Sequence, residues 1–511
     1  MKILCIDASL APALAALGHE VRIAHPAAAV VDLPSLPELR DFRPDLVFQQ
    51  ESLHRPVFLK NLEQVPCPLL FWSLDTHLNI YWQKYYLRLF DVVGTPHVSF
   101  FSRMPALWTP ARLFRLAMFA PDLPWRPHAE RTRPAGFAGR DNPETRPLRS
   151  RFLQILRPLG LTTTDLHGKE MLEFYRDTRI VPNEAIAFEV NFRLMEAAGA
   201  GACVLSPDIG PDQNEIYAPD REIAVYGDGW DMLEKMAFFL RRPDLSEKIG
   251  RAAWEKTQSL HLSRHRAQSV LDAAACTAHA PRDPVYLAAT LVQRGRGLHM
   301  PVPESLLRLI NRPDRPEIYA LLLRCLSEMF PGEASERVLR GALRLPRRGD
   351  GGDIAFAVMG HALQQRDLPL FSQALSTLKR TGGVEAPPPV SLYQAALVLA
   401  ESLRACGRLF QPGLEFRAED MVPETALEAL WVARLHADGD TEWARRQAAL
   451  CAENKALLSV RLQALSVLLE RGASQRVLSD YARACSTAYD IVSGQAILRQ
   501  DPRKETAPYN V

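Results

Sequence analysis

The densest run of potentially reactive side chains lies between Val181 and Asp228, VPNEAIAFEVNFRLMEAAGAGACVLSPDIGPDQNEIYAPDREIAVYGD. Helical spacing over Ala187 to Ala198 puts Phe188, Phe192 and Met195 on one face and Glu189, Arg193 and Glu196, at i, i+4 and i+7, on another. Three alternating charges on a helix face commonly make a salt-bridged surface. Here, however, the small residues Ala197 to Ala202 allow close helix–sheet packing, and a buried strand and a PDIGPD turn then lead to Glu215. A second group is Asp75 with His77 at an expected strand end. Either side chain could take a proton from a hydroxyl, but Asp75 is also the residue type that caps a helix running from Thr76 to Tyr86. The aromatics Trp72, Tyr81, Trp82, Tyr85 and Tyr86 could stack on a ligand ring, yet their i, i+4 spacing reads first as core. Two patterns carry less. Asp438 and Asp440 form a D-x-D of the metal–nucleotide kind, but in a turn between helices. HLSRHR, His261 to Arg266, has two histidines four apart and no third ligand.

These residues need elements to hold them. The first 130 residues alternate short apolar runs with helical segments, the pattern of a parallel sheet wound with helices. Strands are expected at Ile3–Ile6, Val21–Ala24, Leu46–Phe48, Leu69–Trp72 and Val92–Val93, with a helix over Ala11–Leu17 stopped by Gly18. The ligand crevice of such a sheet lies beyond the carboxyl ends of its strands. That places Asp7, Ser9, Gln49, Gln50, Glu51 and the segment Trp72 to His77 at its mouth. PDLPWRPHAERTRP, Pro121 to Pro134, reads as a linker from its proline and arginine content. A second α/β pattern follows, with strands at Gly136–Gly139, Leu161–Thr163, Thr178–Val181, Cys203–Ser206 and Ile223–Tyr226. Helices are expected at Leu148–Leu159, Ala187–Ala198, Trp230–Leu240 and Leu245–Ser259. Two doubly wound domains sharing a cleft are the natural assembly of such patterns. From about Asp283 strand patterns vanish; hinges near Asp367, Gly407 and Asp440, 40 and 33 residues apart, bracket the 34-residue tetratricopeptide period. The expected domains are therefore residues 1–125 and 132–275, both Rossmann-like, and 283–511, an α-helical repeat whose concave face would bind a partner.

Composition narrows the classes. At 511 residues the chain is too long for one core. Its net charge of +2, with no arginine-rich block, gives no footprint for nucleic acid or an acidic membrane. Eight cysteines, scattered singly with no CxxC pair, read as buried reduced thiols. No stretch of 18 apolar residues appears and Asp7 interrupts the first apolar run, so a cytoplasmic protein without a signal peptide or membrane span is expected.

The segment around Asn191 resembles the donor-binding domain of GT-B glycosyltransferases, and most closely the spore-maturation CgeB-like group. Asn191, Arg193, Glu196, Ala197 and Gly199 fit that group's N-x-R-x-x-E-A-x-A-x-G-A helix pattern, and Glu215, EIAVYGD, LEKMAFFLRRPDLSEKIGRAAWE and HLSRHRAQSVL continue it in order. FAGRDN, FDVVGTP, WSLDTH and RPDLVFQQES extend it more loosely over residues 1 to 275, and none of the helical tail takes part. The resemblance implies a metal-independent hexosyltransferase that needs no cofactor beyond a nucleoside diphosphate sugar as co-substrate. The acceptor-side domain is then the first and the donor domain the second. The glutamate matching Glu196 would accept from ribose hydroxyls, Arg193 and Arg140 would neutralise the diphosphate, and Asn191 and Glu215 complete the donor set. Asp75 and His77 are the acid–base candidates, and a surface glycan or protein is the expected acceptor. Many retaining GT-B enzymes carry another glutamate where this chain has Phe188, so the sugar-contacting glutamate is unassigned. A catalytically idle scaffold with an adaptor role and a nucleotide-sugar epimerase are the alternatives.

Overall fold

The computed structural model describes residues 1–52, 55–103, 112–141, 147–185, 189–227, 229–277, 279, 281–297, 300–330, 332–344, 352–365, 367–382 and 384–390, with scattered positions between 395 and 406. The hinges expected at Gly407 and Asp440, the Asp438/Asp440 pair, Cys451, Cys485 and Phe188 lie outside the described residues. By contacts the described residues divide into two compact units, Met1–Ala11, His19–Phe114 and those from Ala273 on in the first, and Pro12–Gly18 with Arg115–Asp272 in the second.

The first stretch runs β1 (Lys2–Ile6), α1 (Ala11–Ala16), β2 (Glu20–Ala24), β3 (Val30–Asp32), β4 (Leu46–Gln50), β5 (Phe58–Lys60), β6 (Leu69–Trp72), α2 (Thr76–Tyr86), β7 (Val92–Thr95), α3 (Val98–Arg103) and β8 (Arg112–Arg115). The first unit is built on a sheet of order β2-β1-β4-β6-β7-β8, with β3 and β5 paired separately. All pairings from β2 through β7 are parallel. Ile3 to Ile6, Leu46 to Phe48 and Leu69 to Trp72 are buried along their whole length, as strands covered on both faces must be. The aromatics on and beside α2 are core: Trp72, Trp82, Tyr85 and Tyr86 are buried, and the Tyr86 hydroxyl donates to Gln49 Oε1 at 3.0 Å.

The second unit contains β9 (Arg133–Ala138), α4 (Pro147–Leu156), β10 (Leu161–Thr164), α5 (Gly168–Arg176), β11 (Thr178–Pro182), α6 (Phe192–Gly199), β12 (Cys203–Pro207), α7 (Pro211–Asn214), β13 (Ala224–Tyr226), α8 (Gly229–Arg241) and α9 (Pro243–Leu260), and α10 (Ser263–Ala275) closes it. Its sheet, β10-β9-β11-β12-β13, is parallel throughout. One side packs Phe137, Phe152, Leu156, Tyr226, Met232 and Met236 into a continuous apolar core.

Two sequence expectations need correction here. Pro121 to Pro134 is not a linker. Arg131 is buried and donates to the carbonyls of Arg126, Thr178 and Ala200, the last at 3.0 Å, and lies over the Trp125 ring. His128 is buried between Gly201 O and Ser246 Oγ, and burial pushes it down to about 4. The segment is polar because its side chains satisfy backbone carbonyls of distant elements. The helix expected at Ala187 begins instead at Phe192, so Glu189 precedes it and shares no helical face with Arg193 and Glu196.

From Val285 the described residues form α11 (Val285–Gly297), α12 (Glu304–Leu309), α13 (Pro316–Met329), α14 (Glu333–Ala342), α15 (Asp353–Gln364) and α16 (Leu368–Gly382). These helices fall in the first unit, where α11 packs on α2, α13 touches α11, α14 and α15, and α15 packs on α16. Arg282 roots this region. Its buried guanidinium pairs with Asp91 and donates to the carbonyls of Leu62, Val65 and Cys67 at 3.0 Å each. Cys5, Cys67, Cys203 and Cys325 are buried, and burial pushes the Cys5 and Cys203 thiols up to about 12; Cys276, against the sequence reading, is exposed. Among the described residues no helix is long and apolar enough to cross a membrane.

Candidate functional site

In the second unit β9 comes first in the chain, with β10 on one side and β11 on the other, so the topological switch point lies between the carboxyl ends of β9 and β11. Four sequence-predicted or neighbouring residues meet there. Asn191 caps α6: its Oδ1 accepts from Leu194 N at 3.1 Å, while its Nδ2 donates to Glu184 O just past β11 at 2.6 Å. One side chain thus starts the helix and ties it to the strand end. Arg193, in the first turn, is thereby aimed back over the sheet, and its guanidinium lies 4.0 Å from the Phe137 ring centroid.

The polar contacts of Arg193 are long: Asn183 Oδ1 at 3.4 Å, Glu184 O at 3.5 Å and Ala138 O at 3.4 Å, and its buried Nε has no partner. A guanidinium held by stacking, by these three stretched contacts and by a bond with the Tyr175 hydroxyl still has donors to offer an anion. Gly139 makes the approach possible: its φ is +155°, and a Cβ there would sit 3.2 Å from Arg193 Nη2. One turn further along α6, burial pushes the Glu196 carboxyl up to about 7, against the pull of Arg193. Tyr175, whose hydroxyl donates to Ala138 O at 3.3 Å, lies within the field of both Arg193 and Glu196. The cluster therefore offers a cation with unspent donors beside a carboxyl suited to hydroxyl donors.

The other donor-set candidates are placed differently. Arg140 follows β9 but is exposed, its Nε 3.6 Å from Asp165. Glu215 is exposed just past α7 and pairs with Arg115 at 2.8 Å, whose guanidinium also holds Asp212 at 2.9 Å. Several participants had gone unnoticed in the sequence. Glu184 and Arg149 form a buried ion pair beside the switch point. Asn183, beneath Arg193, donates to Ser206 Oγ at 3.1 Å, which in turn donates to Gln213 Oε1 at 2.9 Å, a fully buried relay linking the ends of β11 and β12 to α7. The signal for these was the VPNE sequence at the end of a strand, whose polar residues point to a satisfied interior network.

In the first unit Asp75 occupies the residue before α2 but its side chain does not cap the helix. The capping acceptor is the buried Glu51, past β4. It accepts from Leu74 N at 2.7 Å, Asp75 N at 2.8 Å, Asn79 Nδ2 at 2.6 Å and Gln83 Nε2 at 2.6 Å, while the single hydroxyl proton of Ser73 goes to Gln83 Oε1 at 2.8 Å. Burial and the neighbouring Asp75 push Glu51 up to about 7. His77 lies in the first turn of α2. His261 is structural, buried between Ile216 O and the Arg266 guanidinium, and burial pushes it down to about 3. Among the described residues no group of three or more His, Cys, Asp or Glu side chains could hold a metal ion.

Residues 158–272 match the family described as "Glycosyl transferase-like". No curated protein matches the chain. Solved structures similar to it include sucrose-phosphate synthase from Thermosynechococcus elongatus, with 12% identity and a TM-score of 0.39 over 53% of this chain and 98% of the other. Anabaena HepE in complex with UDP shows 11% identity and a TM-score of 0.37 over 54% of this chain and 100% of its own. A putative UDP-N-acetylglucosamine 2-epimerase from Listeria monocytogenes shows 11% identity and a TM-score of 0.32, covering 59% and 98%.

Proposed function

We propose that this protein is a GT-B glycosyltransferase that moves a sugar from a nucleoside diphosphate sugar to an acceptor hydroxyl or amide. The observation that carries the reading is the pairing of Arg193 and Glu196 at the switch point of the second sheet, inside the segment that matches the glycosyl transferase-like family. Glu196 accepts from the ribose hydroxyls. Arg193, with its unspent donors, takes the diphosphate, and Arg140 joins it from the end of β9. Charge developing on the leaving diphosphate is met by these guanidinium groups, so the reaction is metal-independent. Asn191 positions Arg193, and Glu215 closes the donor set from the loop after α7. Asp75, with His77, supplies the base that takes the acceptor proton. The resemblance to the CgeB-like group points the same way, and the helical region from Val285 on, read as tetratricopeptide-like in sequence, recruits a glycan or protein acceptor.

The test is calorimetry and thermal shift of the full chain against UDP, GDP, dTDP, ADP and their sugars, repeated with Glu196→Ala. Selective binding of one nucleotide, weakened by about tenfold or more in the variant, supports the donor site. Absence of binding to every nucleotide by well-folded protein sinks the transferase and leaves an adaptor scaffold.

A further inference from the structure

Glu184 engages two guanidinium groups at the mouth of the second sheet. It lies just past β11 and is buried, as is Arg149 in the first turn of α4. The Glu184 carboxylate accepts from Arg149 Nε, while its backbone carbonyl accepts from Asn191 Nδ2 at 2.6 Å and meets Arg193 Nη1 at 3.5 Å. The two cations share one ring and one glycine. Arg193 lies 4.0 Å and Arg149 5.7 Å from the Phe137 ring centroid. A Cβ on Gly139 would stand 3.2 Å from Arg193 Nη2 and 3.6 Å from Arg149 Nη1.

The guanidinium of Arg149 is therefore divided in its duties. Its Nε is spent on Glu184, whereas its Nη1 reaches the Gly139 turn, where the contact with Arg140 O is long, 3.5 Å. A stretched bond to a neutral carbonyl gives way readily to a charged oxygen.

Fastening α4 does not call for the ion pair. Phe152, Leu153 and Leu156 of α4 already pack with Ile180 of β11 in the apolar core, and the desolvation of a buried pair offsets much of its attraction. What the pair does set is charge. With Glu184 beside it, Arg149 presents a dipole to the mouth; without Glu184 it would add a full positive charge next to Arg193. The neighbouring charges do not take over this part: Arg140 is exposed and stands 3.6 Å from Asp165, Arg157 holds Asp141 at 2.6 Å, and Glu196 lies one turn along α6. A diphosphate gripped by two uncompensated guanidinium groups would leave slowly.

We propose that Arg149 is a second cation for the diphosphate and that Glu184 attenuates it, keeping affinity low enough for the leaving diphosphate to depart. The assignment rests on the transferase reading for the diphosphate's role as leaving group; the anion chemistry is read separately below.

The experiment is calorimetry on the full chain at fixed ionic strength, with UDP, GDP, dTDP, ADP, their nucleosides and pyrophosphate as probes. Wild type is compared with Glu184→Gln and with Glu184→Gln combined with Arg149→Met, which replaces the pair by neutral groups of similar length. Glu184→Gln should raise diphosphate and pyrophosphate affinity by about fivefold or more, because one nearby negative charge is gone, and leave nucleoside affinity unchanged. The double variant should bind diphosphate about fivefold or more weaker than wild type. A merely structural bridge gives the opposite sign, with Glu184→Gln weakening every ligand. Equal or weaker diphosphate binding by folded Glu184→Gln would overturn the attenuation. Should that variant fail to fold, the double variant carries the test, and wild-type diphosphate affinity in it would overturn the role of Arg149. Pyrophosphate following the expected pattern while no nucleotide binds would leave the two-cation site standing and remove the transferase. No binding of any anion by the wild type would overturn both.

Discussion

Two sheets of similar winding carry opposite chemistry at their mouths. In each, the first strand in the chain has the second on one side and the rest on the other, so both present a switch point at their carboxyl edge. At the second sheet the buried network leaves a cation under-satisfied: Arg193 makes mainly long contacts, and Asn183, Ser206 and Gln213 form a rigid floor beneath it. At the first sheet the buried group is a carboxyl, and it is saturated: backbone and side-chain donors close on Glu51. Asn79 Oδ1 accepts from Trp82 Nε1, and Gln83 Oε1 from Ser73 Oγ, so neither amide can turn its oxygen toward Glu51 without losing a bond. A saturated buried charge shapes loops; an unsaturated one waits for a ligand. Topology alone does not separate the two roles, whereas the state of the buried charge does.

The sharpest way to break this comparison is to unseat one unit and ask whether the other still works. Asp91→Ala leaves the buried Arg282 guanidinium without its carboxylate at the root of the helices. We expect a loss of about 3–5 kcal/mol in the stability of the first unit. Urea unfolding should then show an early transition, with nucleotide binding by the second unit retained up to the later one. A single cooperative loss of both would show that the units are not independent.

Next in size is Arg193→Ala. Removing charge-assisted donors to a diphosphate costs about 1.5–3 kcal/mol, so nucleoside diphosphate affinity should fall by about 10- to 100-fold while affinity for the bare nucleoside stays unchanged. Calorimetry with matched nucleoside and diphosphate checks it. An equal loss for both ligands would mean that Arg193 supports the pocket and does not hold phosphate. Gly139→Ala should disturb the same stack, because its Cβ would sit 3.0 Å from Phe137 Cε1 and 3.2 Å from Arg193 Nη2, on a backbone of positive φ that resists a side chain.

The sequence showed the sheets far better than the mouths. Runs such as Ile3–Ile6, Leu69–Trp72 and Cys203–Ser206 are apolar because both faces are covered, and their strands appear where expected, within a residue or two. Asn191, Arg193 and Glu196 were singled out by the resemblance of their segment to a known helix pattern, and the structure sets them at the cap and on the first turns of α6. The start of that helix was misplaced because Ala187, Phe188 and Glu189 are tolerable helix residues, and only the bonds of Asn191 reveal the cap. His128 and Arg131 were mistaken for linker because their partners are carbonyls of residues far away in sequence, and Trp125 because it stacks near Trp254. The same holds for Glu51, whose donors come mostly from more than 20 residues on, and for Asp7, whose left-handed φ leaves no trace in composition.

The smallest effect is also the most discriminating, since the same titration should move in opposite directions at the two mouths. Glu51 and Glu196 are both pushed up to about 7 by burial from an ordinary value of 4.5. Between these values the folded chain holds protons that the unfolded chain has released, so stability falls as pH rises through that window and levels off above it. One such group contributes a slope of at most about 1.4 kcal/mol per pH unit, and solvent at the partly exposed Glu196 reduces it. The second influence differs in sign: Asp75 raises Glu51, whereas Arg193 lowers Glu196. Asp75→Asn should therefore end the stability loss at lower pH, and Arg193→Ala should carry it above 7. Denaturant midpoints measured from pH 4 to 8.5 for wild type and both variants would show the two windows parting. Unmoved windows in both variants would mean that burial alone sets the two carboxyls, and shifts in the same direction that the mouths do not differ in the sign of the charge beside them.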